Sequence, residues 1–206
     1  MSEPAVRVLL VSGGISTEDR REGYRNLVGD HFSDSDTVLF VPYASDDYDA
    51  YTSRMNDFMG PNGPSLVGIH TLEDELSAVN EAEGIYVGGG NSFLLIRDLH
   101  ERGLIDPIRE SCLGGGPYLG VRAGSNVACP TMMTTNDMPI VLPPSFESFG
   151  IVPFQINPHY HPGKVMFMDG DEVANHYGES RAQRIAEFHR HQDLSLIHIS
   201  EPTRLL

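Results

Sequence analysis

Three segments of this chain carry residue types that can cooperate in acyl transfer. Gly120-Val121-Arg122-Ala123-Gly124 has the frame of the nucleophile elbow, G-x-S-x-G, in which a strained strand-to-helix turn lifts its central side chain above a sheet. The flanking glycines let the backbone turn sharply without a Cβ clash. Downstream, Thr134 to Pro139 holds Asp137 in a polar loop, and Gln155 to His159 closes an apolar stretch on a histidine. Elbow, acid and base follow in the chain order of Ser-Asp-His hydrolases, whose histidine takes the nucleophile's proton while the carboxylate orients the ring. Read singly, each is bland. Asp137 serves equally as a turn residue and His159 as an exposed loop histidine.

The centre of the elbow frame is an arginine. A guanidinium is always charged, offers no lone pair and cannot attack a carbonyl, so the constellation as written lacks its nucleophile. Ser125 lies about one turn into the following helix and points away from the apex. Cys129, a turn further on, reads as a small buried apolar residue. Neither is expected to take over.

A second glycine turn, Gly88-Gly89-Gly90-Asn91, lacks the spacing of dinucleotide and P-loop motifs. Its backbone N–H groups at a helix start suit an oxyanion, or it is simply a tight turn whose Asn91 and Ser92 cap the next helix.

These turns need elements to position them. Apolar runs at Val6 to Val11, Thr37 to Val41, Leu66 to Ile69, Ile85 to Val87 and Tyr118 to Val121 read as buried strands. Tyr48 to Met59, Leu72 to Ala82 and Phe93 to Arg102 read as helices, the second opened by Thr71 with Asp74 three residues on, the third stopped by Gly103. Alternation of the two predicts an α/β domain with a mainly parallel sheet. Both glycine turns then sit at the carboxyl ends of strands, where such sheets bind ligands. There is no internal repeat and no linker.

With 206 residues, 40% of them hydrophobic and 21% charged, the chain reads as one globular domain. A formal charge of −15 argues against nucleic acid as a partner, because phosphate binding needs clustered cations. Met1 to Pro4 lead straight into the first strand without the pattern of an export signal, and no segment reads as a membrane span. Two cysteines, Cys112 and Cys129, are too few for a disulfide framework and fit a reducing cytoplasm. His159 and His161 lack acidic or cysteine partners at ligand spacing, so neither a metal nor another cofactor is expected.

From the first strand to about Arg190 the chain resembles peptidase E, the aspartyl dipeptidase family. The likeness is carried by Val41-Pro42-Tyr43-Ala44, Val87 to Phe93, Gly120 to Asn126, Ala128-Cys129-Pro130-Thr131, Thr134 to Ile140, Gln155 to His159 and Gly178 to Ile185. It implies a three-layer, flavodoxin-like fold similar to class I glutamine amidotransferases, and hydrolysis of dipeptides with N-terminal aspartate. It places Arg122 where the family has its serine, Asp137 as triad acid, His159 as general base, and the backbone near Gly89 and Ala123 as oxyanion hole. Asn91 is expected beside the substrate and Arg181 on its aspartyl carboxylate, a pairing that suits a planar guanidinium. Read without the resemblance, Arg181 is a solvated helix residue near Glu179 and Glu187.

Residues 193–206 depart from the family and resemble a translated sequencing adapter. The expectation is a domain over 1–192, shortened at its carboxyl end, with a foreign tail and an unpaired sheet edge. His189, His191 and His198, around that join, are given no metal role. Two alternatives stand beside the dipeptidase: a non-catalytic binder in which Arg122 and Arg181 capture a small anionic peptide or amino acid, and another hydrolase of the superfamily, such as a cyanophycinase-like enzyme.

Overall fold

The computed structural model describes residues 5–13, 17–159, 166–169, 172–175, 181–199 and 203–205. Met1 to Pro4, His161 and Glu179, used above, lie outside them. Among the described residues ten strands follow in chain order: β1 (Val8–Val11), β2 (Thr37–Val41), β3 (Ser65–Gly68), β4 (Ile85–Val87), β5 (Tyr118–Val121), β6 (Gln155–Pro158), β7 (Met166–Asp169), β8 (Glu172–Asn175), β9 (Leu196–Ile199) and β10 (Thr203–Leu205). The helices are α1 (Glu18–His31), α2 (Tyr48–Met59), α3 (Glu75–Glu81), α4 (Ser92–Glu101), α5 (Ile105–Leu113), α6 (Ala123–Val127) and α7 (Arg181–Phe188).

Six strands form the central sheet in the order β10-β1-β5-β4-β2-β3, parallel throughout except for β10 against β1. Side chains alternate across a pleat, so a strand buried on both faces serves two cores. Val8 and Leu10 enter one core with Val79 of α3, Leu95 and Leu99 of α4, Ile108 of α5 and Val127 of α6. Leu9 and Val11 enter the other with Tyr24 and Val28 of α1 and Tyr51 and Met59 of α2. Helix, sheet and helix make the three layers. Among the described residues no helix is long and apolar enough to cross a membrane.

The helices follow their caps. Asp47 opens α2 by accepting from Ala50 N–H at 2.9 Å, and Asn91 opens α4 by accepting from Phe93 N–H at 2.9 Å. Gly103, at φ 68°, closes the α4 stretch as expected. The start of α3 differs from the sequence reading. Ile69–Thr71 is a short 3₁₀ turn in which the Thr71 hydroxyl donates to Gly68 O at 2.7 Å, and Asp74 is the cap, accepting from Leu76 and Ser77 N–H.

The tail itself pairs with two strands. Within 193–206, Thr203–Leu205 lies antiparallel beside β1 and Leu196–Ile199 pairs in parallel with β6. The β1 edge is therefore covered.

Candidate active site

Strands β1, β4 and β5 are parallel neighbours, so Ser12-Gly13, Gly88 to Gly90 and the turn after Val121 emerge together at their carboxyl ends. At the last of these, Arg122 has φ 52° and ψ −103°, a left-handed conformation that a side chain makes costly by about 1–3 kcal/mol. The sheet enforces it. Arg122 N–H donates to Val11 O at 2.7 Å, and Asn126 N–H donates to Arg122 O at 3.0 Å. A Cβ on Gly120 would strike the Gly124 carbonyl, and one on Gly124 would strike the Val87 carbonyl.

Ser125 and Cys129 sit where the sequence reading put them, away from the apex. The Ser125 hydroxyl is buried, accepting from Val11 N–H at 3.0 Å and facing the carbonyls of Gly120 at 2.6 Å and Val11 at 2.9 Å. Cys129 is buried, and burial raises its thiol pKa above the ordinary range; burial pushes the Cys112 thiol to about 12. Neither thiol supplies a thiolate near neutral pH.

The glycine loop after β4 is packed against the elbow. A Cβ on Gly89 would lie 3.0 Å from Arg122 Cβ and 3.2 Å from its Cδ, so the arginine stem runs directly over this residue. Tyr51 positions the loop from the other side: its hydroxyl donates to Gly89 O at 2.8 Å and occupies the space a Gly88 side chain would need. Gly90, at φ 153°, passes against the Ala44 carbonyl, which accepts from Asn91 N–H at 2.9 Å. Asn91 takes the capping role that the sequence offered it. Its Oδ1 caps α4 and its Nδ2 donates to Met138 O at 3.0 Å, so the side chain positions the loop and does not line the cavity with Asp137 and His159.

Asp137 is anchored to the start of α4. Its Oδ2 accepts from Ser92 N–H at 2.7 Å and from the Ser92 hydroxyl at 2.6 Å, and Thr135 donates to that hydroxyl at 2.9 Å. His159 has φ 58°, its N–H donates to Ser12 Oγ at 2.6 Å, and its ring lies 3.5 Å from where a Cβ on Gly13 would stand. No hydrogen bond joins Asp137 to His159 among the described residues; they interact through space. Burial, then the charges of Arg122 and Arg181, lower the His159 pKa, and Asp137 only partly opposes them. Burial and the two cations therefore favour the neutral ring.

Arg122, Ala123, Asp137 and His159 line one cavity of about 110 Å³ with Gly90 and Ser92. Arg181 does not line it. It donates to Pro158 O at 3.0 Å and faces an adjoining cavity of about 210 Å³ that shares Thr135 and Asn136 with the first. Sequence reasoning missed Ser12 and Tyr51 as positioning residues and read Ser92 only as a helix cap, not as the anchor of Asp137. Ser12 carried the only usable signal, a polar residue just past the first strand. Among the described residues no cluster of three or more His, Cys, Asp or Glu gathers in ligand geometry.

The chain matches the family model for Peptidase family S51 over residues 8–206. It is 43% identical over 199 residues to the "Probable alpha-aspartyl dipeptidase" of Drosophila melanogaster, covering 95% of this chain and 80% of that protein. It is 44% identical over 164 residues to the peptidase E of Streptomyces coelicolor, covering 80% of this chain but only 65% of that protein. The peptidase E of Haemophilus influenzae is 43% identical over 154 residues, covering 74% of this chain and 67% of its own length. A solved Listeria monocytogenes structure assigned to peptidase E superposes with a TM-score of 0.64 at 21% identity over 97% of this chain and 98% of its own. At that identity the likeness speaks for the fold alone.

Proposed function

Because the chain belongs to Peptidase family S51, we propose that its pocket is that of an aspartyl dipeptidase, shaped for a dipeptide with N-terminal aspartate, and that Arg122 leaves it without a nucleophile. The observation that carries this reading is Arg122 itself, held at φ 52° in the strained elbow and sharing one cavity with Asp137 and His159. The peptidase E and aspartyl dipeptidase names of relatives at 43 to 44% identity support the substrate class.

With a serine at position 122 the chemistry follows from the groups present. The neutral His159 takes the hydroxyl proton as the oxygen attacks the aspartyl carbonyl, and Asp137 favours the resulting imidazolium through its field. Backbone N–H groups at Gly89 and Ala123 face the developing oxyanion. The histidine returns its proton to the leaving amine, and water then cleaves the acyl-enzyme by the same steps. Arg181, one cavity away, takes the aspartyl carboxylate.

In the present chain no hydroxyl stands at the apex, and the arginine stem covers Gly89. Loss of the nucleophile in a serine protease costs about 2 × 10⁶ in turnover, on the order of 8 to 9 kcal/mol of barrier. The experiment is cleavage of Asp-Leu by the native chain and by Arg122→Ser, the latter also with a peptidase E carboxyl terminus in place of residues after 192. No cleavage by the native chain and recovered cleavage by Arg122→Ser are expected; inertness of both serine variants sinks the reading. Two unpaired, buried thiols support a reducing cytoplasm as its compartment.

A further inference from the structure

A third cavity, of about 360 Å³, shares Gly90 and Arg122 with the one that holds Asp137 and His159, and extends past Gly89 to Tyr51, Arg54 and Met55 on α2. We propose that it is the subsite for the second residue of the dipeptide and that Arg54 takes that residue's free carboxylate. The inference rests on the dipeptidase reading above.

Charge points to it first. In a chain of net charge −15, cations are normally neutralised by neighbouring acids, and Arg97, Arg102 and Arg109 each meet a carboxylate at 2.6 Å. Arg54 and Arg122 meet none among the described residues, and both line this one cavity. Unpaired guanidinium groups on a concave wall concentrate positive potential where an anion can reach it.

Geometry then separates two anionic ends. An Asp-X dipeptide carries one carboxylate on its first side chain and one at its carboxyl terminus, on opposite sides of the scissile carbonyl. Arg181 lines the cavity that shares Thr135 and Asn136 with the central one, and Arg54 the cavity that shares Gly90 and Arg122 with it. A peptide whose carbonyl stands between Gly89 and Ala123 therefore has an arginine toward each end.

Arg54 is also restrained beside the cavity. Its guanidinium carbon lies 5.1 Å from the centre of the Tyr51 ring, and Tyr51 in turn donates to Gly89 O. A cation–π contact of this kind restrains the guanidinium without consuming its N–H donors. Met55 and the rings of Tyr24 and Tyr51 complete a mixed apolar wall suited to a side chain of varied kind, and the volume falls in the range of small-ligand sites.

Calorimetry with Asp-Leu and its carboxyl-terminal amide tests this, on the native chain and on Arg122→Ala, which removes the second cation without supplying a nucleophile. Both proteins are expected to bind Asp-Leu about 10-fold tighter than the amide. Arg54→Gln in either should erase that preference by weakening Asp-Leu alone, and Arg54→Lys should keep part of it. If Arg54→Gln weakens both ligands equally, or neither, the subsite assignment is wrong while the dipeptidase reading survives. If neither ligand binds any of these proteins and Arg122→Ser is inert, both fall together.

Discussion

The elbow and the acid-base flank face each other across one small cavity, and they are held by different means. At the elbow the backbone is fixed by backbone: Arg122 N–H on Val11 O, Asn126 N–H on Arg122 O, and Gly120 and Gly124 pressed against carbonyls that leave no room for a side chain. On the flank, side chains carry the geometry. Asp137 hangs from Ser92 and Thr135, and His159 is tied by its own N–H to the Ser12 hydroxyl. The contrast explains how an arginine stands at a strained apex without unmaking it. The turn is enforced by its neighbours, and the side chain it displays is free to vary.

The sharpest way to break this comparison is Gly124→Ala. The added methyl would enter the Val87 carbonyl inside the sheet, where backbone cannot yield cheaply, and a loss of about 3 kcal/mol in urea unfolding is expected. A loss below 1 kcal/mol would mean that the elbow is softer than argued.

Ser125→Ala probes the same region more gently. It leaves Val11 N–H buried without its acceptor, and unfolding should register a loss of about 2 kcal/mol, with no change in the elbow's reactivity once Arg122→Ser is introduced. Collapse of that recovered activity would assign Ser125 a role beyond the scaffold.

On the flank, Ser92→Ala removes one of two donors to Asp137 Oδ2 while the Ser92 N–H remains. Stability should fall by only about 1 kcal/mol. In the Arg122→Ser background kcat should drop several-fold with KM little changed, because the carboxylate is loosened rather than lost. An unchanged kcat would show that the aspartate's placement does not matter to His159.

The same contrast governs what could be read from sequence. Strands β1, β2, β4 and β5 were legible because they are runs of mainly Val, Leu, Ile and aromatic residues that the sheet buries, whereas the outer strand β3 offered only Leu66 and Val67 between Ser65 and Gly68. Helix α2 was legible from its apolar pattern, whereas α1 was not, since it opens on the charged run Glu18 to Glu22 and offers few apolar residues after it. The α5 signal is broken by Pro107 in its first turn. The elbow could be recognised because glycine spacing is local. The bond of Ser92 to Asp137 joins residues 45 apart and that of Tyr51 to Gly89 joins residues 38 apart, so no spacing rule announces them. Thr71 misled because its hydroxyl turns back to the Gly68 carbonyl, leaving the cap to Asp74.

The smallest effect is the most direct test that the two regions communicate. Burial lowers the His159 pKa first, and the Arg122 charge lowers it further against the opposing field of Asp137. Arg122→Ser removes that cation, so the imidazole pKa should rise toward the ordinary histidine value of about 6.5, read from the ring proton shifts by NMR. Stability must follow in sign. With its folded pKa depressed, the native chain binds a proton at His159 less readily than the unfolded chain, so stability present above about pH 6.5 is lost as pH falls through that value toward the folded pKa. Arg122→Ser should therefore soften the decline in unfolding free energy between about pH 7 and pH 5. If the His159 titration stays where it was, or moves down, the arginine stem does not reach the histidine and the elbow and flank are electrostatically independent.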